Sequence, residues 1–188
     1  MCAGVVSILA ALGFFCYDAY EDSRAGSSAQ AVVAQLAQST QNDAPPASSS
    51  ILPDSDDMTT VDIDGYSYVG RLSIPALGLD LPIMANWTGD YEALKLAPCR
   101  QFGTPQGHDL VIAGHNYTSH FGGLSQLEVG DAVEFSDMDG RTWSYRVALV
   151  EVLEPTAVDA VRESPYDLTL YTCTFGGQSR VVVRCSLV

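Results

Sequence analysis

The sequence predicts a mainly β domain over residues 63–188, closed as an antiparallel barrel or sandwich. Short runs in this region alternate apolar with polar residues and are rich in β-branched side chains, as strands are. Gly, Pro, Asp and Asn separate the runs at spacings typical of turns. Helix-forming stretches are confined to residues 90–97 and 123–127. Many short strands with few helices favour a barrel or sandwich over an α/β fold.

The predicted strands follow one another as the runs YSYVGRLSI, LDLPIM, DLVIAGH, DAVEFS, TWSYRVALVEVL, LTLYTCTF and RVVVRCSLV. Asp139-Gly140 lies between two of them and is a dipeptide typical of a tight hairpin turn. We therefore expect the two flanking runs to pair as neighbouring antiparallel strands.

Residues 1–20 are predicted to be an N-terminal signal anchor that crosses the membrane. Residues 2–17 carry no charge, although this stretch is somewhat shorter than the roughly 20 residues that a spanning helix needs. Tyr17 and Tyr20 suit the headgroup level of a bilayer. A cleaved signal peptide and a buried core helix are the alternative interpretations.

Residues 21–62 are predicted to be a flexible, acidic tether rich in Ser, Ala and Pro. Its first half contains Ala and Gln and can form a short helix, whereas Pro45, Pro46 and the serines after them cannot bury enough apolar surface to fold. The chain thus divides into an anchor, a tether and a folded β domain over residues 63–188.

The net charge of −14 argues against nucleic-acid partners, because binding through phosphates needs clustered Lys and Arg. The five cysteines include no CxxC pair and no Cys/His cluster at metal-ligand spacing, so neither a metal nor another cofactor is expected. Cys99 and Cys185 are predicted to be buried thiols, and a disulfide between them is an alternative.

Three residues form a candidate catalytic set. Cys173 ends one β-run, and Arg180 begins the next after a short Gly-Gly loop, so the two side chains can converge. A thiol becomes a nucleophile when a neighbouring base or cation favours its ionised form. His115 is the last residue of the run DLVIAGH and directly follows its apolar strand, at a rigid strand end, whereas His108 and His120 are interpreted as surface or loop histidines.

These residues lie in motifs that resemble the sortase family. TLYTC followed by an Arg-led strand, with IAGHN upstream, is similar to the sortase pattern, and residues 68–84, YVGRLSIPALGLDLPIM, resemble its first two strands. The resemblance covers residues 63–188 and points to class B-like or other small sortases. It implies an eight-stranded β-barrel with one or two short helices.

The resemblance also implies the activity, a cysteine transpeptidase acting on secreted proteins that bear an LPXTG-like sorting signal. Cys173 would form a thioacyl intermediate, His115 would transfer protons, and Arg180 would stabilise the reacting carbonyl. Arg184, four residues on, competes for that last role. The amine acceptor would belong to a peptidoglycan precursor or a pilin lysine, and the catalytic domain would be extracellular on a single-pass membrane protein.

Four further residues are predicted to contact substrate: Thr172, Ala113, Asn116 and Leu170, with the loop 116–121. The seven-residue interval from Cys173 to Arg180 is shorter than in many sortases, which leaves the subclass open. No aromatic lid motif of the pilus-assembling type is evident, unless ILPDSDDM at residues 51–58 serves that purpose.

Two other functions compete with the sortase interpretation. An L,D-transpeptidase-like cysteine enzyme would need Ser-x-Gly-Cys with an Arg two residues later, whereas this chain has Thr172 before Cys173 and Phe175 two residues after it. A non-catalytic, surface-tethered β-domain that binds a protein partner would use Cys173 and His115 only for packing.

Overall fold

The structure is a computed structural model that describes residues 2–41, 58–87 and 89–188. Most of the predicted lid segment ILPDSDDM, and residues 42–57 of the predicted tether, lie outside the described residues. The helices and strands follow in the order α1 (Cys2–Gln41), β1 (Val61–Ile63), β2 (Tyr66–Ile74), β3 (Leu79–Met84), α2 (Tyr91–Leu94), β4 (Cys99–Phe102), β5 (Leu110–Ala113), β6 (Ala132–Asp137), β7 (Thr142–Leu153), α3 (Val158–Arg162), β8 (Leu168–Cys173) and β9 (Arg180–Leu187).

Eight strands close into a barrel, which confirms the predicted fold class. The order around the ring is β2-β3-β4-β5-β8-β9-β7-β6, and β6 pairs with β2 to complete it. The short strand β1 lies outside the ring and pairs with the first residues of β2. The predicted hairpin at Asp139-Gly140 joins β6 to β7, and Gly140 has the positive φ of 80° that this turn requires.

Two strand pairs are parallel, which corrects the expectation of an antiparallel barrel. β3 pairs with β4 through Met84 and Cys99, and β5 pairs with β8 along its whole length. Parallel neighbours need a crossover rather than a hairpin, and the chain forms β6, β7 and α3 between β5 and β8. As a result, the C-terminal ends of β5 and β8 meet at the same edge of the barrel.

The two faces of the barrel wall have different environments. The inner face holds a large core that includes Leu110, Ile112 and Leu168. On the outer face, Val111 and Val182 pack against Val161 of α3. The alternation of side chains along each strand therefore places odd-numbered residues of β8 outside and even-numbered residues inside.

Helix α1 packs its second half against the barrel. Ala25, Ala29, Val32 and Leu36 recur on one helical face and are buried, in contact with β3 and β1. The helix expected in the first half of the tether is thus present, as part of one continuous 40-residue helix. Within the described residues, no helix combines the length and the apolar character needed to cross a membrane. The predicted anchor over residues 1–20 stays a prediction.

Candidate active site

Cys173 and Arg180 face each other across two neighbouring strands. Cys173 is the last residue of β8, Arg180 is the first residue of β9, and the two are direct partners in the antiparallel register. Directly opposed residues point to the same face of a sheet. Cys173 is exposed and Arg180 is half-buried, so both lie on the outer face of the barrel, at its edge.

His115 reaches this edge through the parallel pair of β5 and β8. Beyond Ala113, the Gly114 N–H donates to the carbonyl of Tyr171 at 3.0 Å. The Thr172 hydroxyl donates back to the Gly114 carbonyl at 2.9 Å. These two hydrogen bonds fix the backbone immediately before His115 to the strand that carries Cys173.

Gly114 is required by close packing. A Cβ at this position would lie 2.6 Å from atoms of the Phe121 ring, which fills the space where a side chain would be. A glycine precedes His115 because the loop after His115 folds back closely enough to bring the Phe121 ring against the strand end.

That loop closes on itself through backbone hydrogen bonds. Phe121 N–H donates to the His115 carbonyl at 3.1 Å, and Gly122 N–H donates to the Tyr117 carbonyl at 2.8 Å. The Tyr117 ring lies against the His115 imidazole, with centroids 3.9 Å apart and planes at 36°. The imidazole is therefore held by a compact turn and by an aromatic neighbour.

Burial is the main cause that lowers the pKa of His115, and the positive charge of Lys95 acts in the same direction. The carboxylates of Asp18, Asp22 and Glu92 oppose this shift. Within the described part of the chain, the buried Nδ1 atom of His115 has no hydrogen-bond partner. A histidine with a lowered pKa is mainly neutral at pH 7 and is able to accept a proton.

Arg180 also lies beside a cavity on the outer face. One Nη1 atom donates to the carbonyls of Gly177 and Ser179, at 3.2 and 3.1 Å, which holds the guanidinium against its own loop. The cavity has a volume of about 190 Å³, and Phe102, Val158 and Tyr171 are among its lining residues. Tyr171 and Arg180 line the same cavity, and burial is the main cause that raises the pKa of Tyr171.

Arg184, the competing arginine, is occupied by structural contacts. It is 4% exposed and donates to Glu151 Oε1 at 2.9 Å and Thr169 Oγ1 at 3.1 Å. It also donates to the carbonyls of Ala160 and Val161, at 2.6 and 3.3 Å. Arg184 therefore fastens α3 to the barrel wall, well along β9 from Cys173.

The four residues predicted to contact substrate divide between the two faces. Ala113 pairs with Tyr171 and shares the outer face with Cys173, and Asn116 is half-buried directly after His115. Leu170 is fully buried in the inner core, and the Thr172 hydroxyl is bound to Gly114. The Leu170 and Thr172 side chains thus lie on the inner side of the strand, because residues an odd number of positions from Cys173 point into the barrel, and their contact with substrate stays a prediction.

The other two histidines differ from each other. His108 is exposed and contacts Asp167 through its Nδ1 at 2.7 Å, as a loop histidine would. His120 lies in the loop after His115, as one of the two predicted alternatives has it, but it is fully buried and is not a surface residue. Burial is the first cause that lowers the pKa of His120 to about 4, so this ring is neutral at pH 7.

The described cysteines are free thiols in two environments. Cys99 and Cys185 are buried, as predicted, and burial raises the pKa of each to about 12. Cys16 and Cys173 are exposed. Cys173 is thus the exposed thiol of the barrel.

Sequence reasoning missed two residues of this region, Tyr117 and Asp22. Tyr117 lies within the predicted loop, and its aromatic ring two residues after His115 was an available signal. Asp22 contacts the same loop from α1, almost a hundred positions earlier in the chain, and no local pattern could have indicated it.

Comparison with known proteins places this chain in one family. The family model described as the sortase domain matches residues 72–188. Sortase A of Bacillus anthracis is 26% identical over 142 residues, which cover 72% of this chain and 67% of that protein.

Solved structures give the same result. Sortase C-1 from Actinomyces oris is 33% identical, with a TM-score of 0.56, over 68% of this chain and 76% of that one. Sortase C from Clostridium perfringens SM101 shares the fold at 21% identity and a TM-score of 0.58, over 83% of this chain and 89% of the other. These matches confirm the resemblance inferred from the motifs. The chain belongs to the sortase family, whose members are cysteine transpeptidases.

Proposed function

We propose that this sortase cleaves an LPXTG-like sorting signal in secreted proteins and transfers the acyl part to an amine. The observation that carries the proposal is that Cys173 and Arg180 are direct strand partners at the barrel edge. His115 lies at the same edge, because it follows β5, which runs parallel to β8. A thiol, an imidazole and a guanidinium at one edge are the groups that acyl transfer through a thioester needs.

In the proposed first step, the Cys173 sulfur attacks the carbonyl carbon before the scissile bond. The C–N bond then breaks, a thioester forms, and the leaving amine takes a proton that His115 has received from the thiol. In the second step, an incoming amine attacks the thioester, His115 accepts its proton, and Cys173 leaves as the sulfur anion. Neutral His115 can act as a base at the start of the reaction, which agrees with its lowered pKa.

Arg180 is proposed to donate hydrogen bonds to the oxygen that becomes negative in both steps. A guanidinium is always charged and offers several donors in a fixed plane. Its backbone contacts with Gly177 and Ser179 restrict its movement, so little reorganisation accompanies the reaction.

The cavity beside Arg180 is proposed to receive an apolar side chain of the sorting signal. Phe102, Val158 and Val161 contribute apolar surface to it, and Tyr171 connects it to the nucleophile strand. A volume of about 190 Å³ suits one side chain such as leucine rather than a longer segment. The acceptor is proposed to be an amine of a cell-wall precursor or a pilin lysine.

The test is mass spectrometry of the full chain, kept in a mild detergent, after incubation with LPXTG-like peptides. We expect a thioester on the tryptic fragment that contains Cys173, and a ligated peptide when an oligoglycine or lysine amine is added. Peptides in which leucine is replaced by aspartate serve as the matched control. Absence of both adduct and ligated product across the panel would contradict the proposed substrate class.

The proposed location is the outer side of the cell membrane, with residues 1–20 as the anchor. Sortases are typically cell-surface enzymes, and the first part of α1 carries exposed apolar side chains, including Ile8, Leu12 and Phe15. Fractionation of cells that produce the full chain is expected to recover it with membranes after a high-salt wash. Its release by salt alone would exclude an apolar anchor.

A further inference from the structure

Asp22 of α1 binds the tip of the loop that follows His115. Its carboxylate accepts hydrogen bonds from Ser119 N–H at 2.9 Å and from Thr118 N–H at 3.2 Å. The Ser119 hydroxyl donates to the backbone carbonyl of Asp22 at 3.0 Å. A carboxylate that accepts from two adjacent backbone N–H groups makes charge-assisted hydrogen bonds, which are stronger than neutral ones.

The helix and the loop are also packed closely around this contact. Gly26 lies one turn after Asp22, and a Cβ there would be 3.0 Å from the Ser119 Cβ. Ala25 and His120 are both buried in the same region. A small residue on α1 therefore lets the loop approach the helix closely enough for the hydrogen bonds to Asp22.

The loop that Asp22 holds connects directly to His115. The backbone bond from Phe121 N–H to the His115 carbonyl closes the loop, and the Tyr117 ring lies against the imidazole. The beginning of the loop is fixed to β8 through Gly114, and its tip is fixed to α1 through Asp22. These two attachments, to β8 and to α1, restrict where the His115 backbone can lie.

We propose that Asp22 is a positioning residue, which holds the loop 116–121 on α1 and so keeps the His115 imidazole aligned with Cys173. The N-terminal helix is then part of the active-site framework as well as a connection to the membrane. This inference rests on the proposed transpeptidase function, in which His115 must exchange protons with Cys173 and with the amines.

Asp22 can affect His115 through its hydrogen bonds to the loop and through its negative charge. Comparison with Asp18 separates these two effects. Asp18 lies one turn earlier on α1, is exposed, and acts on His115 electrostatically in the same direction as Asp22. Asp18→Asn therefore removes a comparable charge and leaves the two loop contacts in place. Asp22→Asn keeps one acceptor oxygen, and Asp22→Ala removes both.

With the full chain in detergent, we expect Asp22→Ala to lower kcat for peptide ligation by about 10- to 100-fold while KM stays near the wild-type value. Asp22→Asn should give an intermediate loss, and Asp18→Asn should stay within about twofold of wild type. The reason for the split is that Asp22 contacts the tip of the loop and does not line the cavity beside Arg180, where the apolar side chain of the peptide is proposed to bind. Equal kcat values for Asp22→Ala and Asp18→Asn would overturn the proposal.

A second measurement does not depend on activity. In Asp22→Asn, which keeps one acceptor oxygen, hydrogen exchange at one or both of the Thr118 and Ser119 amides should be at least tenfold faster than in Asp18→Asn, and the imidazole NMR signal of His115 should broaden or split. Faster exchange with an unchanged His115 signal would reduce Asp22 to a structural contact and overturn the positioning role. If the wild type proves inactive on every peptide, the proposed function fails, whereas the exchange and the His115 signal still decide the role of Asp22. If Asp22→Ala does not fold, Asp22→Asn carries both measurements.

Discussion

Cys173→Ala is expected to reduce thioester formation and peptide ligation by roughly 10⁴-fold or more, to background. The thiol is exposed at a strand end and outside the inner core, so its removal leaves no cavity. The thermal midpoint should therefore stay within about 1 °C of the wild-type value. Mass spectrometry of the adduct and a thermal unfolding curve on the same sample check both parts.

The matched control for this prediction is the set of buried thiols. Burial raises the pKa of Cys99 and Cys185 to about 12, so at pH 8 only about one molecule in 10⁴ carries the reactive thiolate at either position. Brief treatment with iodoacetamide at pH 8 should label Cys173 and leave Cys99 and Cys185 unmodified. Labelling of Cys185 at the rate of Cys173, or full ligation activity in Cys173→Ala, would contradict the assignment of the nucleophile.

Arg180→Ala and Arg184→Ala are expected to have opposite effects on activity and stability. Arg180 is half-buried and bonds only to its own loop among the described contacts, so its loss should lower kcat by about 10²- to 10³-fold with little change in stability. Arg180→Lys should recover only part of the rate, because an ammonium lacks the planar set of donors.

Arg184→Ala should instead reduce the free energy of unfolding by about 3 kcal/mol, which corresponds to a decrease in Tm of about 6 to 12 °C. Its removal leaves the Thr169 hydroxyl and two carbonyls near α3 without their donor. Steady-state kinetics below the lowered Tm, combined with thermal unfolding, separates the two arginines. A rate loss in Arg184→Ala that exceeds the loss in Arg180→Ala would reverse the proposed roles.

The residue patterns were sufficient to predict a mainly β barrel or sandwich and the convergence of Cys173 and Arg180, and the resemblance to sortases implied the eight-stranded barrel. Alternating strands and turn dipeptides are local signals, and a short Gly-Gly loop between two β-runs leads to an antiparallel pair with few alternatives. Strand alternation also predicts that the Leu170 and Thr172 side chains lie on the face opposite Cys173, since both are an odd number of residues from it.

Other features depend on contacts between distant parts of the chain. The parallel pair of β5 and β8 joins segments separated by two other strands, and nothing in either segment indicates its partner. The burial of His120 and the contact of Asp22 both follow from the place where α1 lies on the barrel. The Ala and Gln content of residues 21–41 indicated a helix. The surface of the barrel on which this helix packs is formed only when the strands have folded together.

β9 is the last strand of the chain, and it lies between β7 and β8 in the barrel, so the barrel cannot close before β9 has been synthesised. While the chain has been synthesised only as far as β8, Cys173 exists without the strand that carries Arg180. The pairing of β8 with β5 joins residues 58 positions apart, and contacts so distant in sequence form slowly during folding. The thiol is thus present in the chain before its partners are assembled around it. A folding intermediate that lacks β9 also lacks Arg180, so the proposed catalytic set would be complete only after the last strand has paired.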